Sequence, residues 1–346
     1  MLCQFNKNDI KLVRKLLERK ELNIAASNAF FEFSFSGLQP DELLEFLELD
    51  LSNMEEKAFF DDYFNNSLIE LNPNDFLDNP YVKLTKDINA KQGPYTLGKI
   101  TLKSGQTIPY DDISVDSGNF FLETSHIGYF KKEFSYFALM KDDVVWMSTD
   151  PNEIITMNPY IQKAHGDILV MGLGLGYYPF MTALKDDVKS ITIIEKDPKV
   201  IDIFKKYILP KLNINKPFNI IQDDAFSFIK KNDVYKYSYI FMDIWHNAED
   251  GLPLYLRFKS LLKEYKGETG YWLEESLIAM YRRCLLTLIE ENLMGYTDKN
   301  YQQVENEYDK IINDLYFQTK NIKLISFEEV KEFLSNQSIL KILNQA

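Results

Sequence analysis

Apolar positions fall three and four apart over residues 8–20, where Ile10, Val13, Leu16 and Leu17 share one helical face. The spacing predicts a second helix over 41–49, entered through Leu38, Gln39 and Pro40. Ser52-Asn-Met-Glu55 reads as a capping box for a third, running to about residue 71. Asn72-Pro-Asn74 and Asn79-Pro80 are turn signals. From 81 to 149 the pattern becomes that of strands. Segments 95–102 and 106–110 flank Lys103-Ser-Gly105, and 134–140 and 144–148 flank Lys141-Asp-Asp143; each pair predicts a hairpin. Asp150 as N-cap, Pro151 at the first helical position and Glu153 in the capping-box place predict a helix to about residue 164.

Short apolar runs then alternate with helical segments. Strands are predicted at 168–171, 191–195, 218–225 and 237–243, a short one at 270–273 and a long helix over 276–293. The tail from Asn300 to Ala346 is mostly helical, with one strand at 322–326 and no evident closing hairpin. Strand–helix alternation of this kind predicts a parallel sheet. The expected fold is α/β, a Rossmann-like mostly parallel sheet with helices on both faces over 150–275. A helical segment (1–80) and a small β domain (81–149) precede it, and a helical region (276–346) follows. A chain of 346 residues can bury a core of that size.

The candidate chemistry lies where the first of these strands ends. Asp167-Ile-Leu-Val-Met-Gly-Leu-Gly-Leu-Gly-Tyr-Tyr-Pro179 is a strand, a glycine turn at 172, 174 and 176, and the start of a helix. Glycines let a ligand approach the main chain, and a helix start offers free N–H groups and a partial positive charge. The glycine triplet alone fits many tight turns without a ligand. It gains weight from Glu195 at the tip of the second strand, placed to accept ribose hydroxyls, from Asp223 and Asp224 after the third, and from Asp243 after the fourth. Ligands of open α/β sheets sit at such strand ends.

This series resembles the class I S-adenosylmethionine-dependent methyltransferases, over about residues 150–266. The resemblance implies S-adenosylmethionine as cofactor. Gly172, Gly174 and Gly176 match that family's glycine loop and Glu195 its ribose-binding acid. Asp224 matches the acid that contacts the adenine amine, with Asp223 as a solvated helix cap, and Asp243 the acid beside the reacting centre. A Rossmann dehydrogenase fits less well, because tyrosine stands at 177 where its third glycine would fall.

The layout also resembles the spermidine synthase family, through the hairpin and acidic helix start at 137–153. That family's hairpin glutamine and its tyrosine after the helix-start acids are missing. Its glycine loop carries an aspartate that favours decarboxylated S-adenosylmethionine; here Leu175 stands in that place. A neutral residue removes repulsion against a carboxylate, which favours the intact cofactor and methyl transfer.

Charge narrows the partners. The net charge is −13, with a sequence pI near 4.9. Lys131-Lys132 and Lys205-Lys206 are isolated pairs, so nucleic acid is disfavoured and a small-molecule substrate expected. Cys3 and Cys284 make no disulfide framework, and no metal-ligand spacing is present. The start of the chain lacks the long apolar core of a signal peptide, and no apolar run approaches the ~20 residues of a membrane span. A cytoplasmic enzyme is expected, with the tail as a cover or an oligomer surface.

Asp243-Ile-Trp-His-Asn-Ala-Glu-Asp-Gly251 leaves a strand tip crowded with polar groups. Asp243 and His246 are the catalytic candidates: His246 as a base for a nitrogen or oxygen nucleophile, Asp243 to orient an amine. Trp245 is read as a cation-facing ring or a packing anchor, His246 alternatively as a helix-entry residue, and Asp250 as a helix cap. Tyr177 and Tyr178 either cover the cofactor or pack beneath the sheet, and Glu274 and Glu275 either reach the site or favour a helix dipole. Methyl transfer to a small molecule leads; aminopropyl transfer and a non-catalytic binding protein of the same fold are the alternatives.

Overall fold

The computed structural model describes all residues except 297, 299, 300, 302–305 and 346, and the backbone alone of 345. β1 (Leu2–Cys3) leads into α1 (Lys7–Ser36), which Asn6 caps and Gly37 ends at φ 76°. The helix runs well beyond the predicted 8–20. Its second half buries Asn23 and Ser34 among apolar residues, which blurs the apolar stripe. α2 (Leu43–Leu47) and α3 (Met54–Tyr63) follow. The cap of α3 is Asn53 rather than Ser52, and the expected helix to residue 71 gives way to β2 (Leu68–Glu70).

α4 (Asn74–Leu77) and α5 (Pro80–Thr85) lead to the β region: β3 (Ala90–Gln92), β4 (Tyr95–Leu102), β5 (Thr107–Pro109), β6 (Ser114–Asp116), β7 (Leu122–Thr124), β8 (Ile127–Tyr129), β9 (Phe134–Lys141) and β10 (Val144–Ser148). One antiparallel sheet has the order β10-β9-β4-β3, a smaller one β2-β8-β5, and β6 pairs with β7. The hairpin predicted across Lys103-Ser-Gly105 does not form. Gly105, at φ 75°, donates its N–H to Phe130 and turns β5 away to pair with β8. The β9–β10 hairpin forms as predicted, with Asp142 and Asp143 both at positive φ, as a two-residue turn of this hand requires.

The larger sheet follows: α6 (Pro151–Lys163), β11 (Gly166–Met171), α7 (Tyr177–Ala183), β12 (Val188–Glu195), α8 (Pro198–Ile203), β13 (Phe218–Gln222), α9 (Ala225–Lys231), β14 (Tyr239–Met242), α10 (Ala248–Leu261) and β15 (Glu268–Tyr271). All five strands are parallel, in the order β13-β12-β11-β14-β15. This is a Rossmann-like α/β fold. Ile168 to Met171 and Tyr239 to Met242 are fully buried, as expected where helices cover both faces of a parallel sheet. The strand order reverses between β11 and β14, the place where such sheets open a crevice for a ligand.

α11 (Glu274–Leu293), α12 (Glu307–Thr319), β16 (Lys323–Leu324), α13 (Phe327–Phe333) and α14 (Asn336–Gln345) complete the chain. The strand expected at 322–326 is β16, and it pairs in parallel with β1, apart from the main sheet. Asn300 and Ala346, the bounds of the predicted tail, lie outside the described residues. The Lys20 ammonium of α1 sits 2.6 Å from the Glu290 carboxylate of α11, tying the first helix to the C-terminal region. No helix among the described residues is long and apolar enough to cross a membrane.

Candidate functional site

The glycine loop is shaped by its neighbours as much as by its own sequence. Gly172 follows β11 at φ 100°, held between Ile194, which accepts its N–H at 2.9 Å, and the end of β14. A Cβ there would lie 2.0 Å from the Asp243 carbonyl oxygen, so only glycine lets β11 and β14 end side by side. Gly176, at φ 80°, is packed against the Phe204 ring and donates to the Leu173 carbonyl, closing the turn. Gly174 is different. It has φ 52°, yet a Cβ would meet nothing within 4 Å, so this part of the loop faces open space.

Glu195 braces that loop. One carboxylate oxygen accepts the Leu173 N–H at 3.1 Å and the other the Asp197 N–H at 2.8 Å. Each oxygen keeps a lone pair for a further donor, such as a ribose hydroxyl. Asp224 is exposed and caps α9 by accepting the Ser227 N–H at 2.9 Å. The cap is therefore Asp224 and not Asp223, because the chain turns into the helix at Asp224.

Four carboxylates lie as successive electrostatic neighbours, Glu195 beside Asp243, Asp243 beside Glu153 and Glu153 beside Asp150. Asp243 follows β14, with its N–H bonded to Met171. Asp150 and Glu153 stand at the start of α6, and Glu195 at the end of β12. Burial pushes the Asp243 carboxyl up to about 7, with the Glu195 charge adding to the rise and His246 opposing it. Burial also raises Glu153 well above the carboxylate range, and Asp243 and Asp150 raise it further. Asp150 is raised by burial although it accepts the Glu153 N–H and the Ser148 hydroxyl. Neither Asp243 nor Glu153 forms an ion pair with a lysine or arginine among the described residues. Like charges held together in partial burial favour a cation between them. In the sequence Asp150 and Glu153 read as a helix start. Their signal was the resemblance of that helix start to the acidic one of the spermidine synthases.

The segment after Asp243 divides. Trp245 is buried and donates its indole N–H to the Trp272 carbonyl at 3.1 Å, which makes it a packing anchor. His246 has a side chain 70 % exposed, and its Nδ1 lies 3.0 Å from the Asp250 carboxylate. Asp250 and Asn247 form a reciprocal cap at the start of α10, so Asp250 is both a helix cap and the partner of His246. Tyr177 and Tyr178 pack inward. Asn79 donates to the Tyr177 hydroxyl at 3.1 Å, and Tyr178 stacks on Phe241 at 3.8 Å. Glu274 accepts from Tyr255 at 2.9 Å and faces Lys259 at 3.5 Å, while Glu275 accepts from Asn336. Leu175 is buried, and its carbonyl accepts the hydroxyl of the fully buried Tyr81 from α5.

Residues 152–261 match the family model of the spermine/spermidine synthase domain, about a third of the chain. No curated protein matches it. Among solved structures, spermidine synthase from Thermotoga maritima is similar at 16 % identity and TM-score 0.32, over 43 % of this chain and 55 % of that one. A spermidine synthase in complex with the transition state analogue AdoDATO gives 14 %, 0.31, 43 % and 54 % in the same order. A proposed O-methyltransferase from Klebsiella pneumoniae gives 18 %, 0.25, 32 % and 48 %. The chain thus spans about half the length of each of these structures. It is over the stretch that carries Glu153, the glycine loop, Glu195, Asp224 and Asp243 that the chain is similar to the spermine/spermidine synthase domain.

Proposed function

We propose that this protein transfers the aminopropyl group of decarboxylated S-adenosylmethionine to a small amine. The observation that carries the reading is the run of neighbouring carboxylates from Glu195 through Asp243 and Glu153 to Asp150, none of them in an ion pair with a lysine or arginine among the described residues. A donor whose tail ends in an ammonium, and an acceptor that is itself a cation, both relieve that repulsion. A carboxylate on the donor tail would increase it. The match of residues 152–261 to the spermine/spermidine synthase domain supports the same reading.

The residues divide the work. Glu195 has acceptor capacity for ribose hydroxyls, and Asp224 for an adenine amine. The open side of Gly174 leaves room for the donor against the main chain. When bound, the donor supplies a sulfonium whose adjacent carbon accepts the amine lone pair while the carbon–sulfur electrons return to sulfur. The amine must shed a proton. Asp243, held near neutrality, is suited to take it, since a base works best when its pKa lies near the working pH. His246, paired with Asp250, stands next in line toward solvent.

Methyl transfer from intact S-adenosylmethionine is the second reading, favoured by Leu175. A buried leucine there leaves the loop without the acid that would repel a donor carboxylate. One experiment separates the two. The protein is incubated with each donor in turn and a panel of small diamines, and the nucleoside products are identified by mass spectrometry. Methylthioadenosine from the decarboxylated donor supports aminopropyl transfer. S-adenosylhomocysteine from the intact donor would replace it with methyl transfer. Formation of neither, with no calorimetric binding of either donor, would leave the non-catalytic reading.

A further inference from the structure

We propose that the outer edge of β13 is a docking site for an acidic, extended segment of a partner protein. The inference is independent of the reaction assigned above. Among the described residues, β13 is an end strand of the main sheet, paired on one side only. Ile191 donates its N–H to Pro217, and Asp223 donates to Glu195. Odd-numbered residues of β13 therefore bond to β12, and Phe218, Ile220 and Gln222 turn their N–H and C=O groups outward. Such a row is a template for a further strand.

The surroundings specify what that strand would carry. A groove of about 590 Å³ runs along the edge, with Leu209, Phe218 and Ile220 as apolar lining and Lys205 and Lys236 at its sides. Both lysines are exposed, and neither has a carboxylate partner among the described residues. Ile221 is 39 % exposed on the same strand. The charge is local. Residues 185–236 carry eleven lysines against eight aspartates and glutamates, a balance of +3, while the net charge is −13, so the rest of the chain carries −16. A docked strand alternates its side chains between two faces. One that alternates apolar and acidic residues would lay the first against Leu209, Phe218 and Ile220, on the face that Lys205 borders, and turn the second to the opposite face, where Lys236 stands. A second copy is a poor occupant of this edge, because two-fold pairing would bring the same lysines together. Edge lysines also occur simply to keep sheets apart, and the test distinguishes that role.

The probe is a fluorescein-labelled nine-residue peptide alternating valine and glutamate, beside the same peptide with lysine for glutamate, followed by fluorescence anisotropy. The acidic peptide is expected to saturate and the basic one not to bind. A Lys205→Glu/Lys236→Glu variant should weaken binding about tenfold or more. Ile220→Pro should do the same while keeping the β12–β13 ladder, since the N–H it removes faces outward. If that variant fails to fold, hydrogen exchange on the unaltered protein replaces it: the amides of 218, 220 and 222 should gain protection on peptide addition. No saturation, equal binding of both peptides, or unchanged exchange at those amides would overturn the proposal. So would concentration-dependent self-association in sedimentation that protects the same amides. A Lys205→Ala/Lys236→Ala variant that aggregates without any peptide binding by the unaltered protein would assign the lysines to keeping edges apart.

Discussion

Asp243 holds a proton more tightly in the folded chain than it would unfolded, and this has a defined sign. Its carboxyl titrates near 7 in the folded protein, against about 3.9 in an unfolded chain. The stability that goes with the raised value is present below pH 4 and is lost as the pH rises through 7. Asp243→Asn should therefore match the unaltered protein at pH 4 and melt a few degrees higher at pH 8, as read by thermal unfolding at both values. The same variant should weaken binding of a cationic donor at pH 8. The glycines make a second pair of residue-scale predictions. Gly172→Ala drives a methyl into the Asp243 carbonyl and should lower the melting temperature by several degrees while displacing Asp243. Gly174→Ala meets no atom and should cost only the ~1 kcal/mol of a left-handed backbone. Its methyl would occupy the open side of the loop, so donor affinity should fall more than stability does. Titration calorimetry beside thermal unfolding checks both.

The glycine loop is positioned from outside by α5. Tyr81 donates to the Leu175 carbonyl and sets its ring edge-on to Tyr177 at 5.5 Å, while Asn79 holds the Tyr177 hydroxyl. Tyr81→Phe keeps the ring and leaves a buried carbonyl without its donor, a loss of about 1–3 kcal/mol. Donor affinity should fall several-fold, with the ring packing of Phe180 against residue 81 preserved in the spectrum of the aromatic protons. Unchanged affinity would mean that the loop is held by Gly172 and Gly176 alone. At this scale the regular elements of the main sheet were legible, because their apolar runs are separated by glycine and acid signals. The long half of α1, the turn at Gly105 and β2 were not. Asn23 is buried in α1 because its amide serves Phe121 and Tyr63, and Gly105 turns outward because Phe130 accepts its N–H. Those partners lie 25 to 100 positions away, beyond any local pattern. The same limit hid Glu153, whose carboxylate comes beside Asp243 only after the sheet has assembled.

At the scale of the molecule, charge is divided rather than uniform. The acidic excess includes the stretch from Asp41 to Asp62, while the lysines gather beside β12 and β13. The ends of the chain are brought together by the β1–β16 pair and by Lys20 against Glu290. Anchoring across so many positions makes the first helix and the tail one layer over α11, so loosening either should loosen both.

Trp245 and Trp272, joined by the bond from the Trp245 indole N–H to the Trp272 carbonyl, follow the ends of β14 and β15, and Trp245 is two residues from Asp243. The third, Trp146, lies on the β10 hairpin beneath the Lys141 ammonium. Two of the three indoles therefore stand at the ends of the strands that lead into the site. Their light emission should have the colour of shielded indole, and its intensity should change when a ligand alters the charge at Asp243. A fluorimeter and an unlabelled sample would then follow occupancy of the site in real time, and Trp245→Phe would identify which indole carries the signal.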